Sequence, residues 1–180
     1  MCKALLLIDI QNDYFPGGKS ELAAPEKALH VAETVLKRFR EKALPVIHVQ
    51  HVNTRAGATF FLPGTAGCQI HERLTPLAGE NVVVKHAPNS FYGTDLNAII
   101  REKQITGLVV CGMMTHMCVD TTIRAAKDYG IAVTLLQDGC ATKDLIFDGE
   151  TLPADTVQKV FMAALNGMFA DIIPASELHI

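Results

Sequence analysis

Apolar and polar positions follow two rhythms along the chain. Continuous apolar runs occur at 3–9 (KALLLID), 45–50 (PVIHVQ), 82–85 (VVVK), 107–112 (GLVVCG), 131–137 (IAVTLLQ) and, more briefly, 170–173 (ADII). Runs of this kind suit strands buried on both faces. Between them, apolar residues recur at helical spacing. Ala28, Val31, Ala32, Val35, Leu36 and Phe39 form one stripe, with Pro45 ending the connection after it. Val157, Val160, Phe161, Ala164, Leu165 and Met168 form another, behind an Asp155 placed to cap it. Shorter helices are expected from Asp95, with Thr94 as cap, and from about Cys118 to Tyr129, closed by Gly130. The alternation predicts an α/β fold: a doubly wound, mainly parallel six-stranded sheet with helices on both faces. Segments 52–80 and 138–154 are rich in Gly, Pro and Thr and read as long loops, which in a compact domain are usually functional.

Composition narrows the partners. About half of the 180 residues are apolar, enough to bury a full core, so residues 1–180 read as a single domain. The net charge of -3 is spread without long runs, and no basic stretch is interleaved with aromatics, which argues against nucleic acid. No run approaches the roughly 20 apolar residues of a membrane span. "MCKALLLIDI" is interrupted early by Asp9 and reads as a first strand rather than a signal peptide. Five cysteines at irregular spacing, with no CxxC, suggest reduced thiols in a cytoplasmic protein.

Ligands of an open doubly wound sheet bind beyond the carboxyl ends of its strands. The first strand ends in Asp9, the third in Lys85, and the fourth runs through Gly112 into a turn that delivers Cys118 to a helix start. Asp9 could simply cap a loop, but after "LLLI" it should be desolvated, which raises its pKa towards a value useful for moving protons. Lys85 could snorkel to the surface, yet after "VVV" it must find a partner or lose its proton, and Asp9 would satisfy it. Cys118 is either a small buried residue or a thiol whose pKa the helix N-terminus lowers. Cys111, mid-strand, reads as inert core. His48 and His51 are spaced like a metal pair, but positions three apart on a strand face opposite ways, so no metal is expected. "GMMTHMC" is not GxGxxG, and "QNDYFPGG" after the first strand is no tight glycine turn, so neither a dinucleotide nor any other cofactor is expected.

These stretches resemble the isochorismatase-like cysteine hydrolases. "LLLIDIQNDYF" is similar to their opening strand, "VVVKHAPNSFYGTDL" to their lysine strand and "VVCGMMTHMCVDTTIRAAKDYG" to their nucleophile turn and helix; "FLPGTAGCQIHERLTP" and "DGCAT" extend the likeness. The resemblance implies an isochorismatase-like, Rossmann-like three-layer fold and an Asp9, Lys85 and Cys118 triad. It also implies a cis peptide between Met113 and Met114, with the N–H groups of Met114 and Cys118 forming an oxyanion hole. Thioester chemistry on a small-molecule amide, lactam or ureido substrate is then expected, in a homo-oligomer (dimer or tetramer) whose segment 52–80 could reach a neighbour's pocket. Gln11, Phe15, His51, Phe60, Phe91 and His116 are candidate pocket lining. The pairing of "GMMTHMCVD" with "ATKDLIFDGETLPADTVQKVFMAAL" looks most like the streptothricin-hydrolase-like branch. "HVQHVNTRAGATFF" departs from the Asp-x-His and further His with which the family's nicotinamidases hold a metal, which weakens a nicotinamidase-like reading. Two alternatives stand beside amide hydrolysis: cleavage of an isochorismate-like vinyl ether, needing Asp9 but not Cys118, and a non-enzymatic, redox-sensitive binding domain.

Overall fold

The computed structural model describes residues 2–180. In chain order its elements are β1 (Lys3–Ile8), α1 (Pro25–Glu41), β2 (Val46–His51), β3 (Asn81–Lys85), α2 (Leu96–Glu102), β4 (Gly107–Met113), α3 (Asp120–Asp128), β5 (Ala132–Ala141), β6 (Leu145–Phe147), β7 (Glu150–Leu152), α4 (Ala154–Leu165) and β8 (Asp171–Ile173). Six strands form one sheet in the order β3-β2-β1-β4-β5-β8, and every pairing in it is parallel. The chain winds outward in one direction from β1 to β3 and in the other from β4 to β8. The order therefore reverses between β1 and β4, where such sheets open a crevice at their carboxyl ends.

Alternation along β1 divides the core between the two faces. Leu5 and Leu7 pack with the α1 stripe of Ala28, Leu29, Ala32, Val35, Leu36 and Phe39. Ala4, Leu6 and Ile8 pack with Ile100 of α2, Ile123 and Ala126 of α3, and Met162 and Leu165 of α4. All five β1 residues are nearly or fully buried, as a central strand covered on both sides requires. β4 lies so close to β1 that a Cβ at Gly112 would stand 2.6 Å from the Ile8 carbonyl oxygen. Only glycine fits there.

Three expectations change. β5 continues past residue 137 to Ala141: its register against β4 jumps between Val110, opposite Leu135, and Gly112, opposite Cys140. Segment 138–154 is accordingly not one long loop, since most of the remainder, 145–152, forms the antiparallel hairpin β6–β7. Asp155 does not cap α4. Pro153 holds the position before the helix, Asp155 falls in its first turn, and the Ala154 N–H is met at 2.8 Å by Asp144 Oδ1. The α4 stripe is also narrower than its spacing suggests, with Val157, Met162 and Leu165 buried but Val160 and Met168 exposed. Among the described residues no helix is long and apolar enough to cross a membrane.

Candidate active site

Strand register assembles the site. Ile8, the last residue of β1, pairs with Val49 and Gly112, and Asp9 follows it; His51 and Lys85, the last residues of β2 and β3, pair with each other. Asp9 leaves the strand with φ 52°, a left-handed turn that aspartate tolerates better than most residues. Beyond β4 the Met113–Met114 peptide is cis. A single wide turn, Thr115–Val119, then precedes α3, with the Met114 carbonyl accepting from both Met117 (3.1 Å) and Val119 (3.3 Å). Such π-type turns are frequent at functional sites. Cys118 lies within this one.

Three rim side chains converge on Lys85. Its Nζ is 2.7 Å from Asp9 Oδ2, 3.2 Å from Cys118 Sγ and 3.0 Å from His51 Nδ1, and it donates to the Ala87 carbonyl at 3.1 Å. Asp9 and Lys85 are completely buried and Cys118 is 4 % exposed. Neither Asp9 oxygen has a hydrogen bond of good geometry, Oδ2 being held by the ammonium as an ion pair. Burial pushes the Asp9 carboxyl above its usual range, and the Lys85 charge offsets only part of that. Burial works against the Lys85 charge too, but Asp9 and Cys118 outweigh it and hold the ammonium's pKa up. The Cys118 thiol is pushed up, first by burial and then by the Asp9 charge, with Lys85 opposing. The expectation that a helix N-terminus lowers it therefore fails: Cys118 precedes the regular helix, and desolvation dominates. The resting cluster is a thiol, a carboxylate and an ammonium.

The donor atoms of Asp9, His51 and Cys118 lie within 4.8 Å of one another, a set with the chemistry of a metal site. Lys85 Nζ stands among all three and supplies the positive charge itself, so these residues do not fit an ion there. His48, three residues before His51, serves a separate network through Glu80, 2.9 Å from its Nε2.

Of the expected pocket residues, His51 joins the cluster and the others divide. Gln11 is fully buried and lines nothing: its Nε2 donates to the carbonyls of His51 (2.9 Å) and Cys68 (2.7 Å), while its Oε1 accepts from the His51 N–H (2.8 Å). It fixes His51 from both sides of the backbone. Phe15 and Phe91 belong to the cores on opposite faces, Phe15 against His71 and Phe91 against Tyr129. Phe60 is half-buried against Phe61 and Tyr14. His116 is half-buried beside Thr142 and Phe161. Thr115, which spacing did not single out, is buried at the head of the turn that carries Cys118 and donates to Gln158 Oε1 of α4 at 2.7 Å, with the Ala141 carbonyl at 3.2 Å. A groove of about 400 Å3 is lined by Asn12, Asp13, Lys19, Thr59, Leu62 and Gly67 among others. None of the Lys85 cluster borders it, and the chemistry points to the buried cluster instead.

The isochorismatase domain model matches residues 3–177. An uncharacterised isochorismatase family protein of Bacillus subtilis (strain 168), YddQ, is 50% identical over 172 residues, covering 96% of each chain. A streptothricin hydrolase of Streptomyces noursei is 34% identical over 79% of this chain and 51% of its own length. The crystal structure of a putative isochorismatase hydrolase from Oleispira antarctica superposes with a TM-score of 0.94 at 45% identity, covering 98% of this chain and 95% of that one. With that domain spanning nearly all of its length and the same parallel sheet beneath it, this chain belongs to the isochorismatase family.

Proposed function

We propose that this chain is a cysteine-dependent amidohydrolase that opens a small amide, lactam or ureido C–N bond through a thioester on Cys118. The observation that carries the reading is the Lys85 ammonium held between the Asp9 carboxylate and the Cys118 sulfur. A thiol pushed up by burial needs a base at the moment of attack, and Asp9 is a desolvated carboxylate with no other hydrogen-bond duty. Asp9 takes the thiol proton as Sγ bonds to the acyl carbon. The oxyanion that forms is taken to be held by the N–H groups of Met114 and Cys118, a reading that the cis peptide before Met114 and the wide turn around Cys118 support. As the C–N bond breaks, Asp9 returns the proton to the leaving nitrogen. Water, deprotonated by Asp9, then cleaves the thioester and restores the thiol. Lys85 stays charged throughout and keeps the buried carboxylate from taking up a proton at rest.

The hydrolase named among the relatives supports bond cleavage by water, and the substrate class rests on the retained Cys118. We take the chain to act as one domain on a small molecule, as a homo-oligomer, in the cytoplasm, where its five free cysteines stay reduced. A second reading has one observation in its favour: the raised pKa of Asp9 also suits a proton donor, as cleavage of a vinyl ether requires. Turnover of an amide and lactam panel and of a vinyl ether by wild type and Cys118→Ala separates the two. Amide turnover lost in the variant is the expected result. Equal vinyl ether turnover by both proteins, with no amide consumed, would overturn the thioester reading.

A further inference from the structure

Lys85 spends its three N–H groups on acceptors of different origin: His51 Nδ1 (3.0 Å), the Ala87 carbonyl (3.1 Å) and Cys118 Sγ (3.2 Å), with Asp9 held as an ion pair. His51 belongs to the sheet, and Gln11 bonds its backbone at both the N–H and the carbonyl. Ala87 and Cys118 lie outside the sheet, one in the loop after β3 and the other in the turn before α3. Two buried hydroxyls join these two segments. Ser90, fully buried, comes three residues after Ala87, and Thr122, 1 % exposed, comes four after Cys118, in the first turn of α3. Thr122 Oγ1 accepts from the Ser90 N–H at 3.0 Å, stands 2.8 Å from Ser90 Oγ and reaches the Pro88 carbonyl at 3.4 Å. A hydroxyl has one proton and two lone pairs. The assignment that uses all three contacts has the Ser90 O–H donating to Thr122 and the Thr122 O–H donating to Pro88, and it leaves nothing over. Ser90 is anchored in turn, its carbonyl accepting from Thr94 Oγ1 at 2.6 Å.

Resting on the triad reading above, we propose that Thr122 and Ser90 are positioning residues that fix the Lys85–Cys118 contact, by tying the loop whose carbonyl aims the ammonium to the helix behind the sulfur. The connections close a ring: Lys85 to Cys118, Cys118 along one helical turn to Thr122, Thr122 to Pro88 and Ser90, and back through Ala87 to Lys85. Both hydroxyls are fully used within it and neither moves a proton in the reaction. Burial, and then Asp9, disfavour a thiolate at Cys118, whereas Lys85 favours it. Opening the ring therefore withdraws the charge that favours the reactive form of the sulfur. A merely structural fault at the same place acts the other way, because it exposes a buried thiol to reagents. The two effects have opposite signs.

The test needs no substrate. The rate of Cys118 alkylation by iodoacetamide at one mildly alkaline pH is read by peptide mass mapping in wild type, Thr122→Val, Thr122→Ser and Ser90→Ala, with urea denaturation to establish the fold of each. Valine keeps the shape of threonine without the hydroxyl, and serine keeps the hydroxyl. Thr122→Val is expected to react about tenfold more slowly, equivalent to about one pH unit in the thiol. Ser90→Ala is expected to slow by a smaller factor and Thr122→Ser to react at the wild-type rate. A valine variant as fast as wild type, or faster, would overturn the proposal; so would a serine variant as slow as the valine one. Should Thr122→Val fail to fold, Ser90→Ala decides on the same terms, and a rate equal to or above wild type overturns the proposal. A wild-type Cys118 that does not react at all would count against the thioester chemistry instead. Crystal structures of wild type and the folded variant then decide the ring: a longer Nζ–Sγ separation in the variant is expected, and an unchanged one contradicts it.

Discussion

β2 carries two histidines three residues apart, and each anchors a cluster of charge, partly exposed at His48 and buried at His51. At His48 the carboxylate is fully engaged, although the ring's own Nδ1 is left without a partner: Glu80 takes a two-pronged contact from Arg40 (2.7 and 2.8 Å), an N–H from Leu77 (2.9 Å) and the His48 Nε2 (2.9 Å). It ties the end of α1 to the entry of β3. At His51 the cluster holds a carboxylate with no hydrogen bond of good geometry, an ammonium that bonds to His51, the Ala87 carbonyl and Cys118, and a thiol held protonated by its surroundings. The Glu80 carboxylate is saturated with partners, as an unmet charge away from water is costly. A carboxylate held by charge alone, as Asp9 is, keeps lone pairs free to take a proton.

If that contrast is sound, the two clusters fail in different ways. The largest effect is expected at Asp9. Asp9→Asn keeps the shape and removes the base, so amide turnover should fall by roughly 10⁴-fold, as in comparable proton-transfer systems, while urea denaturation shows a stable fold. A fold lost together with activity would make Asp9 a structural anchor and erase the contrast. Lys85→Met comes next. It leaves Asp9 buried and unpaired, at a cost of about 3 kcal/mol in unfolding free energy, with activity also lost.

Gln11→Ala is expected to cost about 2 kcal/mol in unfolding free energy, read by urea denaturation, by unpairing the buried backbone groups of His51 and Cys68. Glu80→Gln should leave kcat unchanged and alter the pH dependence of stability. Despite its partial burial, the contacts of Glu80 with Arg40, Leu77 and His48 bring its pKa from 4.5 down to about 2. A carboxyl with a lowered folded pKa contributes fully above its unfolded value and loses that contribution as pH falls to the folded one. Wild type should therefore lose this increment between about pH 5 and pH 2, and the difference between the wild-type and Glu80→Gln unfolding curves should shrink across the same window. At the far end of the scale, Lys37→Ala, which removes the exposed pair with Glu41, should leave the unfolding midpoint where it is.

The strands and their chemical ends were legible because a central parallel sheet writes unbroken apolar runs, and Asp9 and Lys85 break those runs where the strands stop. The α1 stripe was legible from its helical spacing: five of its six positions are buried, Val31 only in part, and Leu29 joins them. What escaped the sequence depends on register. The contact between His51 and Lys85 exists because β2 and β3 end level with each other, and nothing in "VIHVQH" or "NVVVK" alone specifies that. Gln11 looked like pocket lining because it sits two residues past Asp9, and only the neighbouring backbone of His51 and Cys68 shows that its amide is used up. The Cys118 pKa reversed because the helix expected to begin there starts at Asp120, after a wide turn that buries the sulfur. Hairpin β6–β7 escaped because its strands are three residues each and almost wholly exposed, with no buried face to impose a period.

The most direct test of the central claim is intact-protein mass spectrometry of wild type and Cys118→Ala after brief exposure to a mixed panel of small primary amides, lactams and ureido acids. The expected result is a transient adduct on wild type, absent from the variant, whose mass gives the acyl group held as a thioester. Panel members consumed equally by both proteins, with no adduct on either, would contradict nucleophilic catalysis by Cys118.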